Sequence, residues 1–203
     1  MSRSGFGGVV GFMEREVEIS LVRRLRNGDE SAFDEIYGAF NARLYRFLNR
    51  MARKQDVAED LVEETWLRFV SNSGDLDPDT RLGAWLFTVA RNLYISYCRS
   101  RSREQSYATD LLALWPDDGS CSPLGSVVSK QFEARLESAL EELPPTYREA
   151  LLLVGVEGFR PIEAAAICGV SAEAFRQRLS RGRNLLSERL QGEGWIQQLP
   201  SRR

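Results

Sequence analysis

No histidine occurs anywhere in the 203 residues. That excludes Ser-His-Asp and Cys-His catalysis and every metal site built on imidazole. Lysine is nearly missing too: Lys54 and Lys130 are the only two among 27 basic residues, so the positive charge is carried by arginine. Arginine presents a rigid fork of donors suited to phosphates and guanine edges, where lysine offers a point charge. Cysteine is sparse. Cys98, Cys121 and Cys168 show no C-x-x-C spacing, which leaves no zinc signature and suits free thiols in a reducing compartment. Long apolar runs are absent as well: "ALLLVGV" at 150–156 falls far short of the ~20 residues that cross a bilayer. The N-terminal "GFGGVVGFM" has no small-residue cleavage site and runs directly into charged "EREVE". The expectation is a soluble, intracellular protein with no metal, cofactor, small-molecule substrate or membrane insertion.

What is present is ordinary in amount and unusual in arrangement. Hydrophobic residues make up 43% and charged residues 28%, enough for a core without staples. Net charge is −2, yet the signs are segregated along the chain. Apolar residues recur at helical spacing and no strand pattern stands out, so the fold class is all-α. Residues 1–14 read as a disordered or peripheral extension and 15–104 as a first small helical domain. Residues 105–129, rich in Pro, Gly and Ser, read as a flexible acidic linker carrying Asp110, Asp117 and Asp118 with no Lys or Arg. A second small helical domain covers 130–191, and 192–203 form a C-terminal tail.

In the first domain, "RNGDESAF" (26–33) supplies a turn and a helix start, with Asp29 or Ser31 able to cap. "RLYRFLNRMARK" (43–54) puts Leu44, Phe47, Leu48 and Met51 on one face and Arg43, Arg46, Arg50, Arg53 and Lys54 elsewhere, with no acid among them. "AEDLVEETWLRFV" (58–70) has an apolar stripe of Ala58, Leu61, Val62, Thr65 and Phe69 beside an acidic one of Glu59, Asp60, Glu63 and Glu64. Like charges at i,i+4 cost an isolated helix about 0.2–0.5 kcal/mol per pair, a cost that a basic partner would offset. Plain solvation of the stripe is the alternative. After the loop "SNSGDLDPDTR" (71–81), "LGAWLFTVARNLYISYCRSRSR" (82–103) reads as a long helix with Leu82, Trp85, Leu86, Val89, Leu93 and Tyr97 inward. Arg81, Arg91, Arg99, Arg101 and Arg103 lie in or beside it.

The second domain ends in "PIEAAAICGVSAEAFRQRLSRGRNLLSERL" (161–190). A short Ala-rich helix, a tight turn with Gly169 in a left-handed position, and a longer helix capped by Ser171 make the layout of a helix-turn-helix. Phe175, Leu179, Gly182 and Leu186 point inward. Ala172, Glu173, Arg176, Gln177 and Ser180 are left outward near the start of the second helix, with Arg181 and Arg183 further along. An arginine-rich helix alone is as easily a solvated face. The turn and the outward Arg-Gln pair favour nucleic acid.

"AEDLVEETWLRF", a loop, and "RLGAWLFTVARNLYISYCRSRSRE" resemble region two of bacterial sigma factors, and "LPPTYREALLLVGVEGFRPIEAAAICGVSAEAFRQRLSRGR" resembles their region four. The order, the spacing and the absence of other regions are similar to the extracytoplasmic-function class. The resemblance implies a cytoplasmic bacterial protein that binds core RNA polymerase through the β′ clamp helices and the β flap. It implies reading of promoter DNA and restraint by an anti-sigma protein. The acidic stripe of Glu59, Asp60, Glu63 and Glu64 would dock on the clamp helices. The loop 71–83 and Asn92 would capture an unpaired base of the −10 element, with Arg91, Arg99, Arg101 and Arg103 on phosphates. Ala172, Glu173, Arg176, Gln177, Ser180, Arg181 and Arg183 would serve the −35 element, and the linker would thread the polymerase channels. Several positions depart from the family pattern: Glu63 for a glutamine, Ser96 for an aspartate, Pro161-Ile162 for an aromatic–acid pair, and "AEAFRQR" for the commoner "GTVKSR". They bear on promoter sequence rather than on function. A polymerase-independent helix-turn-helix regulator and a helical protein-binding adaptor are the competing readings. The acidic stripe counts against the first and the Arg176-Gln177 pair against the second.

Overall fold

A computed structural model describes residues 13–106 and 127–191, with side chains described for 13–101 and 134–191. The first block holds α1 (Arg15–Arg26), α2 (Glu30–Ala52), α3 (Gln55–Asn72) and α4 (Leu82–Ser106). The second holds α5 (Val127–Glu141), α6 (Pro145–Leu151), α7 (Pro161–Cys168) and α8 (Ala172–Gln191). No strand occurs among the described residues, and none of their helices is long and apolar enough to cross a membrane. Both ends of the expected 105–129 linker are helical, because α4 runs through Ser106 and α5 begins at Val127. Asp110, Asp117, Asp118, Cys121, the side chain of Arg103 and the tail lie outside the described residues.

Local chemistry explains where the helices begin and end. Asp29 caps α2: its carboxylate accepts from the Ser31 amide at 3.0 Å and from Arg24 at 2.7 Å. Hydrogen bonds from Ser31 and then Arg24 hold that carboxyl at about 2. In α3, Ala58, Leu61, Val62, Thr65 and Phe69 are all buried as their spacing requires, together with Trp66, whose indole donates to Asn41 at 2.9 Å. In the second block α7 starts on Pro161 with an Arg160–Glu163 capping box and stops at Gly169, whose φ is 63°. Ser171 then accepts from the Ala174 amide at 3.1 Å and starts α8. Gly182 lets α8 close on α6: a Cβ there would stand 3.2 Å from the Tyr147 carbonyl.

The two blocks are not apart. They share one hydrophobic core, with α4 as the wall between them. Leu82, Leu86 and Leu93 of α4 are buried as expected, but so are Phe87, Ala90 and Tyr94. Phe87 packs on Phe47 of α2 at 5.2 Å and edge-on to Phe159 of the second block at 5.0 Å. A helix apolar on two faces is covered on both. After α6 the chain widens into a π turn, Leu152–Val156. The turn delivers Glu157 and Phe159, both buried, into the first block.

Arg148 is the most deeply placed charge, 1% exposed. Its guanidinium donates to the carbonyls of Leu140 at 2.9 Å and Leu143 at 3.1 Å, to that of Glu141, and to that of Arg50 at 3.3 Å. These carbonyls lie at or just beyond the C-terminal ends of α5 and α2, where helix dipoles favour a cation. Burial pulls the Arg148 pKa down to about 10, still well above neutrality. Arg148→Met should therefore cost about 3 kcal/mol or more in urea unfolding of the full chain, since buried carbonyls lose a charged donor. Arg148→Lys should recover little, because one ammonium cannot span carbonyls on three segments. A near-neutral Arg148→Met would refute the capping role.

Candidate nucleic-acid interface

The outward face of α8 is formed as its periodicity demands. Phe175, Leu179 and Gly182 are buried against the rest of the block and Leu186 is half-buried. Glu173, Arg176, Gln177, Ser180, Arg181 and Arg183 are exposed, and Ala172 is half-buried at the helix start. Glu173 lies against both Arg176 and Gln177: it pairs with Arg176 at 3.1 Å and stands 3.5 Å from the Gln177 amide. The Arg176 Nε also donates to the Ala172 carbonyl at 3.3 Å. Pairs this exposed contribute little stability, so their effect is to orient the Arg176 fork along the helix.

The first block carries the second surface. The backbone leaves α3 through a 3₁₀ turn, Ser73–Asp75, and then forms the loop 76–81. Leu76 and Leu82 are buried at its two ends. Between them Asp77 accepts from the Asp79 amide at 2.7 Å through its side chain and from the Thr80 amide at 2.8 Å through its carbonyl. The loop is thus a compact turn with Asp77, Asp79 and Arg81 outward. On α4, Asn92 and Arg99 are exposed, while Arg101 is half-buried and donates to the Tyr97 hydroxyl at 2.9 Å. Trp85 is half-buried and packs edge-on against Phe69 at 5.6 Å.

Arg91 is different. Its Nε donates to Glu149 of the second block at 2.7 Å, and both side chains are largely shielded from solvent. Glu149 also accepts from the Cys168 thiol at 3.4 Å. Burial, with Glu149 close by, pushes that thiol up to about 12, so Cys168 stays protonated at neutral pH. Arg91 therefore sits with an acid of its own chain rather than free for phosphate.

The same exchange recurs across the seam. Arg43 lies against the rings of Phe40 and Phe87, 5.4 and 5.7 Å from their centroids. It reaches the Glu157 carboxylate at 3.0 Å and the Glu157 carbonyl at 2.9 Å. Burial raises the Glu157 pKa against the lowering pull of Arg43. Arg50 takes Glu137 in a fork, with both carboxylate oxygens 3.0 Å from its Nε, and Arg53 reaches Glu141 at 3.4 Å. Three basic residues of 43–54, a stretch with no acid of its own, pair with acids across the seam, and Arg91 makes a fourth such pair.

The acidic stripe of α3 takes no part in these pairs. Glu59, Asp60 and Glu63 are exposed and Glu64 is half-buried. Gln55 donates to Glu59 at 2.9 Å, and Arg68 bonds Glu64 at 2.9 Å. These local bonds relieve part of the like-charge repulsion within the helix. Leu67 and Val70, 56% and 54% exposed, complete the face. An apolar spot within an acidic rim is the make-up of a protein-docking surface.

Two family descriptions match this chain. "Sigma-70 region 2" covers residues 36–104 and "Sigma-70, region 4" covers 133–186. The ECF RNA polymerase sigma factor EcfG of Rhodopseudomonas palustris is 38% identical over 81% of this chain and 88% of its own length. SigM of Bacillus subtilis, also an ECF RNA polymerase sigma factor, is 35% identical over 75% of this chain and 91% of its own. Among solved structures, the sigma factor RpoE of Bartonella quintana, in complex with the anti-sigma factor NepR, is 32% identical. It covers 78% of this chain and 96% of its own, with a TM-score of 0.68.

The seam generates its own test. Reversing Glu137 and Glu141 to Arg sets like charges against Arg50 and Arg53 at half-exposed positions. The radius of gyration measured by small-angle scattering should rise in the double variant at about 0.15 M salt, where opposed charges near the surface are only partly screened. The parent should stay compact under the same conditions. Equal radii would show that these pairs do not hold the blocks together.

Proposed function

Because the chain belongs to the extracytoplasmic-function group of the sigma-70 family of RNA polymerase sigma factors, we propose that it is a promoter-specificity subunit. It acts by binding and positioning, and is not itself an enzyme. The observation that carries this reading is the pairing of two surfaces on one chain. One is a recognition helix with Arg176 and Gln177 outward. The other is an acidic face on α3 whose two exposed apolar residues a partner would cover.

The chemistry of each surface follows from its residues. Arg176 and Gln177 stand one turn beyond the helix start, where a recognition helix reaches base edges. Arginine pairs bidentately with guanine and glutamine with adenine, each good pair discriminating by about 1–3 kcal/mol. Arg181 and Arg183 lie further along and take phosphates, which fixes register without reading sequence. In the first block, Asn92, Arg99 and the loop 76–81 receive the opened strand. Glu59, Asp60 and Glu63, with Leu67 and Val70, meet the basic polymerase clamp. An anti-sigma protein, as in the Bartonella complex, is the class of partner that would hold the chain in reserve.

The closed seam cannot persist on a promoter. Elements centred near −35 and −10 lie roughly 25 base pairs apart, about 85 Å at 3.4 Å per step. A compact body of this many described residues is on the order of 40 Å across. The 20 residues between Ser106 and Val127 can span at most about 70 Å when extended. The blocks must therefore part along α4 before both elements are read, and parting frees Arg91 for phosphate.

Transcription from a promoter library by core polymerase with the parent chain and its variants tests the assignment. Arg176→Ala should flatten base preference at one or two −35 positions. Arg183→Ala should weaken all promoters alike and reduce the salt slope. Asp60→Arg with Glu63→Arg should abolish capture of core polymerase while leaving thermal unfolding within about 0.5 kcal/mol of the parent, as exposed substitutions do. Tight specific duplex binding by the chain without polymerase would instead support a free-standing regulator.

A further inference from the structure

Helix α1 begins on a residue of unfavourable charge for a helix start. Arg15 is its first residue, where the exposed amides make the dipole positive and a cation is unfavourable. The side chain reaches from the helix to the loop 76–81. Its guanidinium donates to the Thr80 carbonyl at 3.1 Å and to the Asp79 carbonyl, and meets the Asp79 carboxylate at 3.2 Å. One side chain, 64 and 65 positions away in sequence, thus holds two successive backbone carbonyls of the loop 76–81.

Glu18 stands one turn further along α1, with its side chain only 7% exposed. Its Oε2 lies 3.6 Å from Arg15 and 3.8 Å from Arg81, and has no hydrogen-bond donor among the described residues. A buried carboxylate short of donors is costly, so it holds both guanidinium groups close. Arg81 closes the loop at its far end. Arg15, Glu18 and Arg81 thus alternate in sign under the loop, with Leu76 and Leu82 pinning its ends in the core. None of α1 falls within residues 36–104, the stretch matched as region two.

From this geometry we propose that Arg15 is a positioning residue for the base-capturing loop, held in place by Glu18. The proposal rests on the reading of loop 76–81 as the −10 contact. The clamp does two things. It fixes the peptides of Asp79 and Thr80, so the loop meets an unpaired base already shaped and loses little freedom on binding. It also sets a cation against Asp79, offsetting one of the loop's carboxylates at the surface where a polyanion must approach.

The test uses holoenzyme assembled from core polymerase and the full chain, with Arg15→Ala, Arg15→Lys and Thr80→Ala. Two quantities are read: base preference at the −10 positions across a promoter library, and the opening rate from 2-aminopurine fluorescence in the −10 strand. Arg15→Ala should bind core and keep the −35 profile of the parent. It should flatten the −10 profile and slow opening by about tenfold or more, the scale at which a misplaced contact group acts. Arg15→Lys should recover opening only in part, since an ammonium cannot hold two carbonyls and a carboxylate as the fork does. Arg15→Ala with an unchanged −10 profile, or with a uniform loss that disappears on cooling, would overturn the clamp. Thr80→Ala separates the two ideas. If it shifts the −10 profile while Arg15→Ala does not, the loop assignment stands and the positioning role falls. If neither shifts it, both fall.

Discussion

The Arg148 guanidinium is the point on which both blocks close. Helices α5 and α2 each end with carbonyls that have no partner within the helix, and both ends are buried together. One planar cation with donors on three nitrogens reaches carbonyls of both ends. Its hydrogen bonds to Leu140, Glu141 and Leu143 stop α5 and turn the chain toward α6. Its bond to the Arg50 carbonyl ties that turn to the first block. The dipoles of two helices face the charge, which offsets part of its desolvation. Arg53, next to the same junction, takes the left-handed C-cap of α2 at a φ of 56°, a conformation usually left to glycine. Its side chain continues to Glu141, so the strained residue also serves the seam.

Charge sets how the two blocks register against each other across the seam. A net charge of −2 describes no particular surface of this molecule. The second block lines one side with Glu137, Glu141, Glu149 and Glu157, and the first lines its side with Arg50, Arg53, Arg91 and Arg43. The pairs differ in kind. Arg50–Glu137 and Arg53–Glu141 keep partial contact with water, and such pairs are weak and sensitive to salt. Arg43–Glu157 is buried, and the raised Glu157 pKa shows that desolvation outweighs the Arg43 attraction. Its folded pKa lies above its unfolded value, so ionised Glu157 weakens the folded state at neutral pH relative to the protonated acid. That pair gives the seam its register, while Phe87 and Phe159 supply the apolar adhesion.

How much of this was legible in the sequence depends on the range of the interaction. The α3 stripe, the Asp29 and Ser171 caps and the Gly169 turn are local, and each stands where the pattern put it. The outward set on α8 is the same case: once Phe175 and Leu179 face in, helical geometry sends Arg176 and Gln177 out. The expectation of two tethered domains left their mutual contact unstated. One signal of it was present, because Phe87, Ala90 and Tyr94 form a second apolar stripe on α4 beside Leu86 and Leu93. The partners were not recoverable. Arg43 and Glu157 are 114 residues apart, and nothing local marks either as buried. The π turn that aims Glu157 inward has no composition cue, and nothing local to Arg15 points to a loop 64 residues away.

The seam is selective in what it covers. Exposed Glu59, Asp60, Glu63, Leu67 and Val70 on α3 lie clear of it, and so do Arg176, Gln177 and Arg183 on α8. What it takes is Arg91, on the helix assigned to the opened strand. Under the function proposed above, polymerase can therefore be met while the blocks are still joined. A phosphate at Arg91 must first displace Glu149, whose bond is short, shielded and supported by Cys168. The chain alone has nothing to offset that exchange. Docked on polymerase, it gains the buried area of the α3 face and the high local concentration of DNA that a shared scaffold gives. On that reading Arg91 is withheld from nucleic acid until the blocks part, while Arg176 and Arg183 stay exposed throughout.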